Sequence, residues 1–582
     1  MSRKIVFSKL LLGTTFAFLL TNQIHAASFL ENVELKNGGL AVTLAQETET
    51  SLSGNFLAAQ TASNDNNAKE AVSFYEKAIV QDPDNIILKQ ALFNALVSNG
   101  QIERSLETLN DIAVEEQTQS LNFAVSAADA LKKKSWARAQ KLIENLEGTD
   151  LDSMNARLFF AWALVGERKV DEAIAKAETV DGPEWTKVIK DYHIGTMLSS
   201  VGRDKEAIAY FEKAIVSKAI AGPLTETFIR AVEGLARARA RTDDVAGAKL
   251  AIVDGLRLIP RHAPLTQLLS EIDNETPIMP LINSATNGAS EIFFNVGSAI
   301  SRQGGLPFAQ SHLQIAHYLA PESDVVLLSL GNVYEGQKDY ERANEYYRLV
   351  SDKSPNWRRA QLEIGLNLNQ MDKTDEAIEA LKAIVAQEPL ELVGVSALGR
   401  VYAQREKYLE AAALYDATLP NLDPIENSHW GLFYRRGIAF ERTKQWNKAE
   451  ADFKKALELS PNQADVLNYL GYSWVDMGIN LDEGLDMIRK AVELRPNSGF
   501  IIDSLGWAYY RLERYEEAAV ELERALELMP TDPTLNDHLG DAYWQIGRKL
   551  EATFLWRHAL GNKPNEENKA LIEKKLLEGL TN

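Results

Sequence analysis

Residues 503–530 read DSLGWAYYRLERYEEAAVELERALELMP, and the spacing of their small residues decides the fold. Gly506 stands where a helix would ordinarily carry bulk, Ala518 follows twelve residues later and Pro530 closes the stretch. Glycine inside a helix costs up to ~1 kcal/mol relative to alanine. A glycine that recurs in phase therefore requires a compensating gain. It recurs as Gly297, Gly331, Gly365, Gly399, Gly437, Gly471, Gly506 and Gly540, at steps of 34, 34, 34, 38, 34, 35 and 34. The partner small residue is Ala309, Ala343, Ala377, Ala411, Ala449, Ala518 or Ala552, with Gly484 one place late in its unit. Pro321, Pro355, Pro389, Pro461, Pro496, Pro530 and Pro564 punctuate the same units. Glycine on a first helix and alanine on a second let two axes approach closely, and proline, lacking an N–H, ends the second helix.

This pattern resembles the tetratricopeptide repeat, a 34-residue helix-turn-helix with a Leu-Gly pair, a Tyr, an Ala, an aromatic and a closing Pro. LGNVYEGQKDYERANEYYRLVSDKSP at 330–355 fits nearly throughout. The resemblance implies an all-α, right-handed superhelical solenoid in which each unit buries its face against its neighbours. Eight repeats are expected over 290–566, with a capping helix at 567–582. Residues 52–262 carry the pattern in worn form: Ala71, Tyr75, Ala78 and Pro83 keep register, as do Gly195, Ala207, Phe211 and Ala214. Between the two arrays, 263–289 contains Pro277 and Pro280 and reads as an interruption or hinge.

The first 26 residues have Arg3, Lys4 and Lys9, an apolar run from Leu10 to Leu20 and then Ala26 and Ala27, the layout of a secretory signal peptide. A polar linker, 27–51, follows. The apolar run is shorter than the ~20 residues that span a bilayer. With no Cys in the chain, lipoprotein anchoring, disulfides and thiolate chemistry are all excluded. These features predict an exported, periplasmic protein. The net charge of −20 argues against nucleic acid, whose binders draw affinity from Lys and Arg.

No phosphate loop, nucleophile elbow, dinucleotide fingerprint or zinc helix is present, so neither cofactor, metal nor catalytic residues are expected. An enzyme with a catalytic region in the N-terminal half is the least favoured alternative. In the tetratricopeptide family the concave surface, where peptides commonly bind, is lined by a stripe that falls here on Tyr434, Asn468, Tyr472, Asp503, Trp507, Tyr510, Asp537, Asp541 and Trp544. Periodicity does not separate a groove position from packing between repeats, and Trp507 and Trp544 fit either. Three aspartates on this stripe disfavour the family's mode of gripping a terminal carboxylate with Lys, Asn and Arg. The C-terminal repeats 468–549 resemble those of bacterial cell-envelope adaptors that serve a carboxyl-terminal processing protease or murein-remodelling enzymes. The resemblance implies a protein-binding scaffold of that kind, the alternative being an accessory scaffold for polysaccharide or outer-membrane-protein export.

Overall fold

The structure is a computed structural model that describes residues 51–113, 120–144, 149–216, 222 and 224–580. The expected signal peptide, and all of the linker except Ser51, lie outside the described residues. Among these residues there are thirty α-helices, two 3-10 segments and no strand, and consecutive helices pack as antiparallel pairs. The protein is an all-α solenoid.

The C-terminal array begins with the pair Ala285–Arg302 and Leu306–Leu319 and ends with Pro533–Gln545 and Lys549–Gly561. The repeat glycine does the work its spacing implies, and the structure shows against what. A Cβ at Gly506 would lie 2.6 Å from Leu522 Cγ, and one at Gly437 would lie 2.6 Å from Phe453 Cε1. The knob is thus the large residue of the second helix, with the small alanine beside it. In the 35-residue unit both partners are glycine, and a Cβ at Gly471 would meet the Gly484 carbonyl oxygen at 2.6 Å. The 38-residue step takes up its extra residues after the second helix, in the 3-10 segments Leu419–Asn421 and Asn427–His429.

Each first helix ends on a left-handed residue seven positions after its glycine: Gly304, Lys338, Asp372, Glu406, Lys444, Gly478, Glu513 and Gly547. A non-glycine residue there costs ~1–2 kcal/mol. Glu513 has φ 59° and an exposed side chain, so Glu513→Gly is expected to stabilise the C-terminal repeats by about 0.5–1 kcal/mol, measurable in urea unfolding. A loss of stability would mean that the turn is held by the Glu513 side chain.

The worn half keeps the same turn. Asn66, Gly100, Lys134, Arg168 and Gly202 all have positive φ at intervals of 34 residues. Its helices run from Leu52–Asn64 to Val245–Leu258, and Ala263–Asp273 follows as a single helix. Past Pro277 and Pro280 the chain is irregular until Ser284 caps the next helix, its side chain accepting from Asn287 N at 3.1 Å.

That next helix enters the inner face of the N-terminal array. Ala285–Arg302 packs against Ser120–Lys132, Asp150–Gly166, Glu184–Ser200 and Thr225–Arg241, while Leu306–Leu319 packs against Ile86–Ser98 and Ser120–Lys132. A helix enclosed in this way is buried on all sides, and Glu291, Phe293, Phe294 and Asn295 are each at most 4% exposed. Polar groups fix its seat. Glu291 Oε2 accepts from Tyr192 Oη at 2.7 Å, and Arg230 reaches both carboxylate oxygens. Thr227 Oγ1 donates to Asn295 Oδ1 at 3.1 Å, and Tyr318 Oη donates to Asp129 Oδ1 at 2.9 Å. His193 accepts at Nδ1 from Trp162 Nε1 at 3.0 Å, and burial pushes its pKa down to about 3, so the ring stays neutral. The first repeat of the C-terminal array thereby occupies the groove of the N-terminal one.

Candidate functional site

Downstream of the inserted pair, first helices line a second inner face: Trp357–Gln370, Leu392–Gln404, Trp430–Arg442, Ala464–Asp476, Gly499–Arg511 and Pro533–Gln545. Each packs on its own second helix and its neighbours, and no described helix crosses 357–511 as Ala285–Arg302 crosses the N-terminal array. Residues at i, i+3 and i+7 on one of these helices share a face. Phe500, Asp503 and Trp507 are such a set, and Phe500 is 61% exposed.

The stripe residues have distinct environments. Tyr434 is half-buried, its ring 6.1 Å edge-on from that of Tyr469. Asn468 Nδ2 donates to Ser504 Oγ at 3.1 Å in the next repeat. The Tyr472 hydroxyl is pushed up to about 12 by burial, with the charges of Asp476 and Asp503 adding to the shift. Trp507 is stacked between Tyr510 at 4.7 Å and His538 at 4.0 Å, so its ring joins two repeats while its edge remains open. Trp544 lies 5.2 Å from Trp556 and under the backbone of Gly579, whose φ of 74° suits a residue without a side chain.

Each of the three aspartates has a partner. Asp503 Oδ1 is 2.9 Å from His538 Nδ1. Burial lowers the His538 pKa, but Asp503, Asp537 and Asp541 outweigh it and the net shift is upward. Asp537 and Asp541 hold Lys575 Nζ at 2.8 and 2.7 Å, and Asp541 also accepts from Trp556 Nε1 at 3.0 Å. Burial pushes Asp541 up to about 6 against the pull of Lys575. Lys575 belongs to the terminal helix Glu566–Glu578, so the distal end of the stripe is covered by the chain's own last helix. Repulsion of a carboxylate by this end of the groove, expected from the aspartates alone, is therefore reduced by Lys575. Arg511 pairs with Asp476 at 2.6 Å, whereas Arg435 donates to the Gly431 carbonyl.

A polar concavity of about 310 Å3 lies nearer the middle of the chain, lined by Glu335, Glu363, Asn367, Gln370, Arg400 and Gln404. These residues come from three consecutive first helices, Asp324–Gly336, Trp357–Gln370 and Leu392–Gln404. Burial pushes Glu335 up to about 7, with the Glu363 charge adding to the shift, and burial raises Glu363 as well. None belongs to the stripe expected from the sequence, which runs through aromatics and aspartates at the C-terminal end. The usable signal was the run of polar residues within five positions of the repeat glycines Gly331, Gly365 and Gly399.

Models of the tetratricopeptide repeat match residues 52–85, 192–216, 325–356, 362–424 and 430–463, and a TPR repeat model matches 506–547. The chain is a tetratricopeptide repeat protein. Both arrays of this repeat protein contain matched units, the worn one included. Among curated proteins it is 27% identical over 168 residues to human Protein O-mannosyl-transferase TMTC1, covering 28% of this chain and 18% of that one. It is also 27% identical over 187 residues to mouse Tetratricopeptide repeat protein 21B, covering 30% of this chain and 14% of that one. The chain thus spans under a fifth of the length of these relatives. Similar solved structures include a tetratricopeptide repeat protein from Parabacteroides merdae, at 17% identity and a TM-score of 0.37, covering 44% of this chain and 98% of that one. Another is the APC/C hetero-tetramer Cut9-Hcn1, at 14% identity and a TM-score of 0.38, covering 91% of this chain and 97% of that one.

Proposed function

We propose that this chain is an exported, non-enzymatic scaffold of the periplasm, an adaptor that holds partners or substrates of a cell-envelope protease or murein-remodelling complex. The repeats make it a protein-binding scaffold. The location rests on the basic, apolar and small-residue order of the first 26 residues and on the absence of Cys. No helix among the described residues is long and apolar enough to cross a membrane.

One observation carries the choice of surface. The N-terminal groove is filled by the chain's own helix pair, whereas the inner face of 357–511 is not crossed by a described helix and exposes Val393 and Phe500. Both residues lie six positions before a repeat glycine, so they face the same side of the solenoid. Exposed apolar side chains on a concave polar face are the kind that anchor a partner.

The test is a crosslinked pull-down from envelope extract with the mature chain and with Val393→Ser/Phe500→Ser. Capture of a soluble protease or murein enzyme by the parent, with at least a tenfold loss in the variant, is expected. Equal capture by both would move the binding surface off this groove, and capture of a barrel protein or polysaccharide synthase would favour the export role.

A further inference from the structure

Among the described residues, the fully buried carboxylates have cations or, at Asp503, a histidine. Glu291 and Glu233 share Arg230, Asp452 has Arg436, Asp204 has Arg241, Asp129 has Lys133 and Asp541 has Lys575. This is what the desolvation cost of a charge requires. The half-buried Glu335 and Glu363 lack a cation, as half-buried Asp191 does, but only these two lie together on one concavity. Both are half-buried on adjacent first helices, both line the 310 Å3 concavity, and among the described residues neither forms an ion pair. Arg359 and Arg400 are within electrostatic reach of Glu363 without bridging it, and both are exposed. Asn367 donates from Nδ2 to Asn344 at 3.0 Å and also hydrogen-bonds Glu335, as does the Tyr347 hydroxyl, while Gln404 accepts from Asn369 at 2.9 Å. The exposed Gln370 and Arg400 at the rim remain as hydrogen-bond donors for an incoming chain.

We infer that this concavity is a subsite for a lysine or arginine side chain of a bound peptide, the cation lying between Glu335 and Glu363 and the flanking main chain reaching Gln370 and Arg400. The inference rests on the reading that the C-terminal groove is the partner surface. Charge order along the groove supports it. Among the lining residues the carboxylates come from Asp324–Gly336 and Trp357–Gln370 and the guanidinium of Arg400 from Leu392–Gln404, with the exposed Arg359 outside the lining, so a basic residue is matched at the carboxylate end of the concavity. Burial raises both glutamates, and the Glu363 charge raises Glu335 further, against the pull of Arg359 on both and of Arg400 on Glu363.

Two measurements test it. Full-length chain is offered a positional-scanning library of extended decapeptides in which Lys and Arg are compared with acetyl-lysine and citrulline. At least a tenfold preference for the cationic residues at one position is expected, abolished in Glu335→Gln/Glu363→Gln and kept in Val393→Ser/Phe500→Ser chains, which lose affinity at all positions alike. The same Glu335→Gln/Glu363→Gln chain should melt at a higher temperature than the parent, since it removes a repulsive pair. No cationic preference, selection of acidic residues through Arg400, or a lowered melting temperature would each overturn the inference. Continued loss of the partner with Val393→Ser/Phe500→Ser would then leave the groove itself standing.

Discussion

Glu291→Ala is expected to destabilise the N-terminal array by about 3–5 kcal/mol, the penalty for leaving one member of a buried pair without its partner. Arg230 loses both carboxylate contacts and retains Glu233, which Arg237 also occupies at 2.9 Å. Tyr192, 0% exposed, loses the acceptor of its hydroxyl. Because the pair joins Ala285–Arg302 to Glu184–Ser200 and Thr225–Arg241, the effect should spread over the groove rather than stay local. Hydrogen exchange should speed in those three helices together, with Gly499–Arg511 and its successors unchanged. Glu291→Leu/Arg230→Met, which replaces the pair by apolar volume, should recover most of the loss, as buried pairs exchanged whole often do. A loss below 1 kcal/mol in Glu291→Ala would mean that the helix is held by shape alone and that the N-terminal groove can be vacated.

This seating is the part of the fold that sequence did not disclose. Gly297 and Ala309 identify Ala285–Arg302 and Leu306–Leu319 as an ordinary repeat, and local spacing says nothing about a second set of neighbours some hundred residues upstream. The clue was composition. Ser290, Glu291, Asn295, Gln310, Ser311, His312 and Gln314 put polar residues on a pair that is buried all round, and each needs a partner. The C-terminal repeats were legible because their glycines are demanded by contact: no other residue fits 2.6 Å from Leu522 Cγ. In the N-terminal half the corresponding constraint survives as backbone conformation. Asn66, Lys134 and Arg168 occupy the left-handed turn that Gly100 and Gly202 also occupy, so a regular 34-residue interval is written in φ and concealed in residue type. At the candidate site, the aspartates from Asp503 to Asp541 are legible in the sequence, whereas the partners that hold them are not. His538 is on the first helix of the repeat after that of Asp503, Lys575 is on the terminal helix outside the repeat phase, and pairing across elements is invisible to periodicity.

Gly506→Leu is expected to cost about 3 kcal/mol, the upper end of overpacking, and to unfold the last repeats before the rest. A Cβ alone would sit 2.6 Å from Leu522 Cγ and 3.3 Å from the Ala518 carbonyl oxygen, and leucine adds three further carbons in the same direction. Leu522 is 0% exposed and cannot swing out without opening the core it shares with Leu505, Leu539 and Trp556. A solenoid unit contacts only its neighbours, so protection should be lost first over 499–561, whereas Ala285–Arg302, clasped by the N-terminal array, should keep its own. Trp507→Ala is the comparison that separates packing from display. It removes the stacks on Tyr510 and His538, worth about 1–3 kcal/mol together, and leaves the glycine–leucine contact intact. A smaller loss than that of Gly506→Leu, confined to the seam between the last two repeats, fits a ring that bridges repeats at its faces and meets the groove at its edge. Equal losses would place Trp507 wholly in the core and confine the partner surface to the polar stretch from Glu335 to Gln404 and the exposed side chains of Val393 and Phe500.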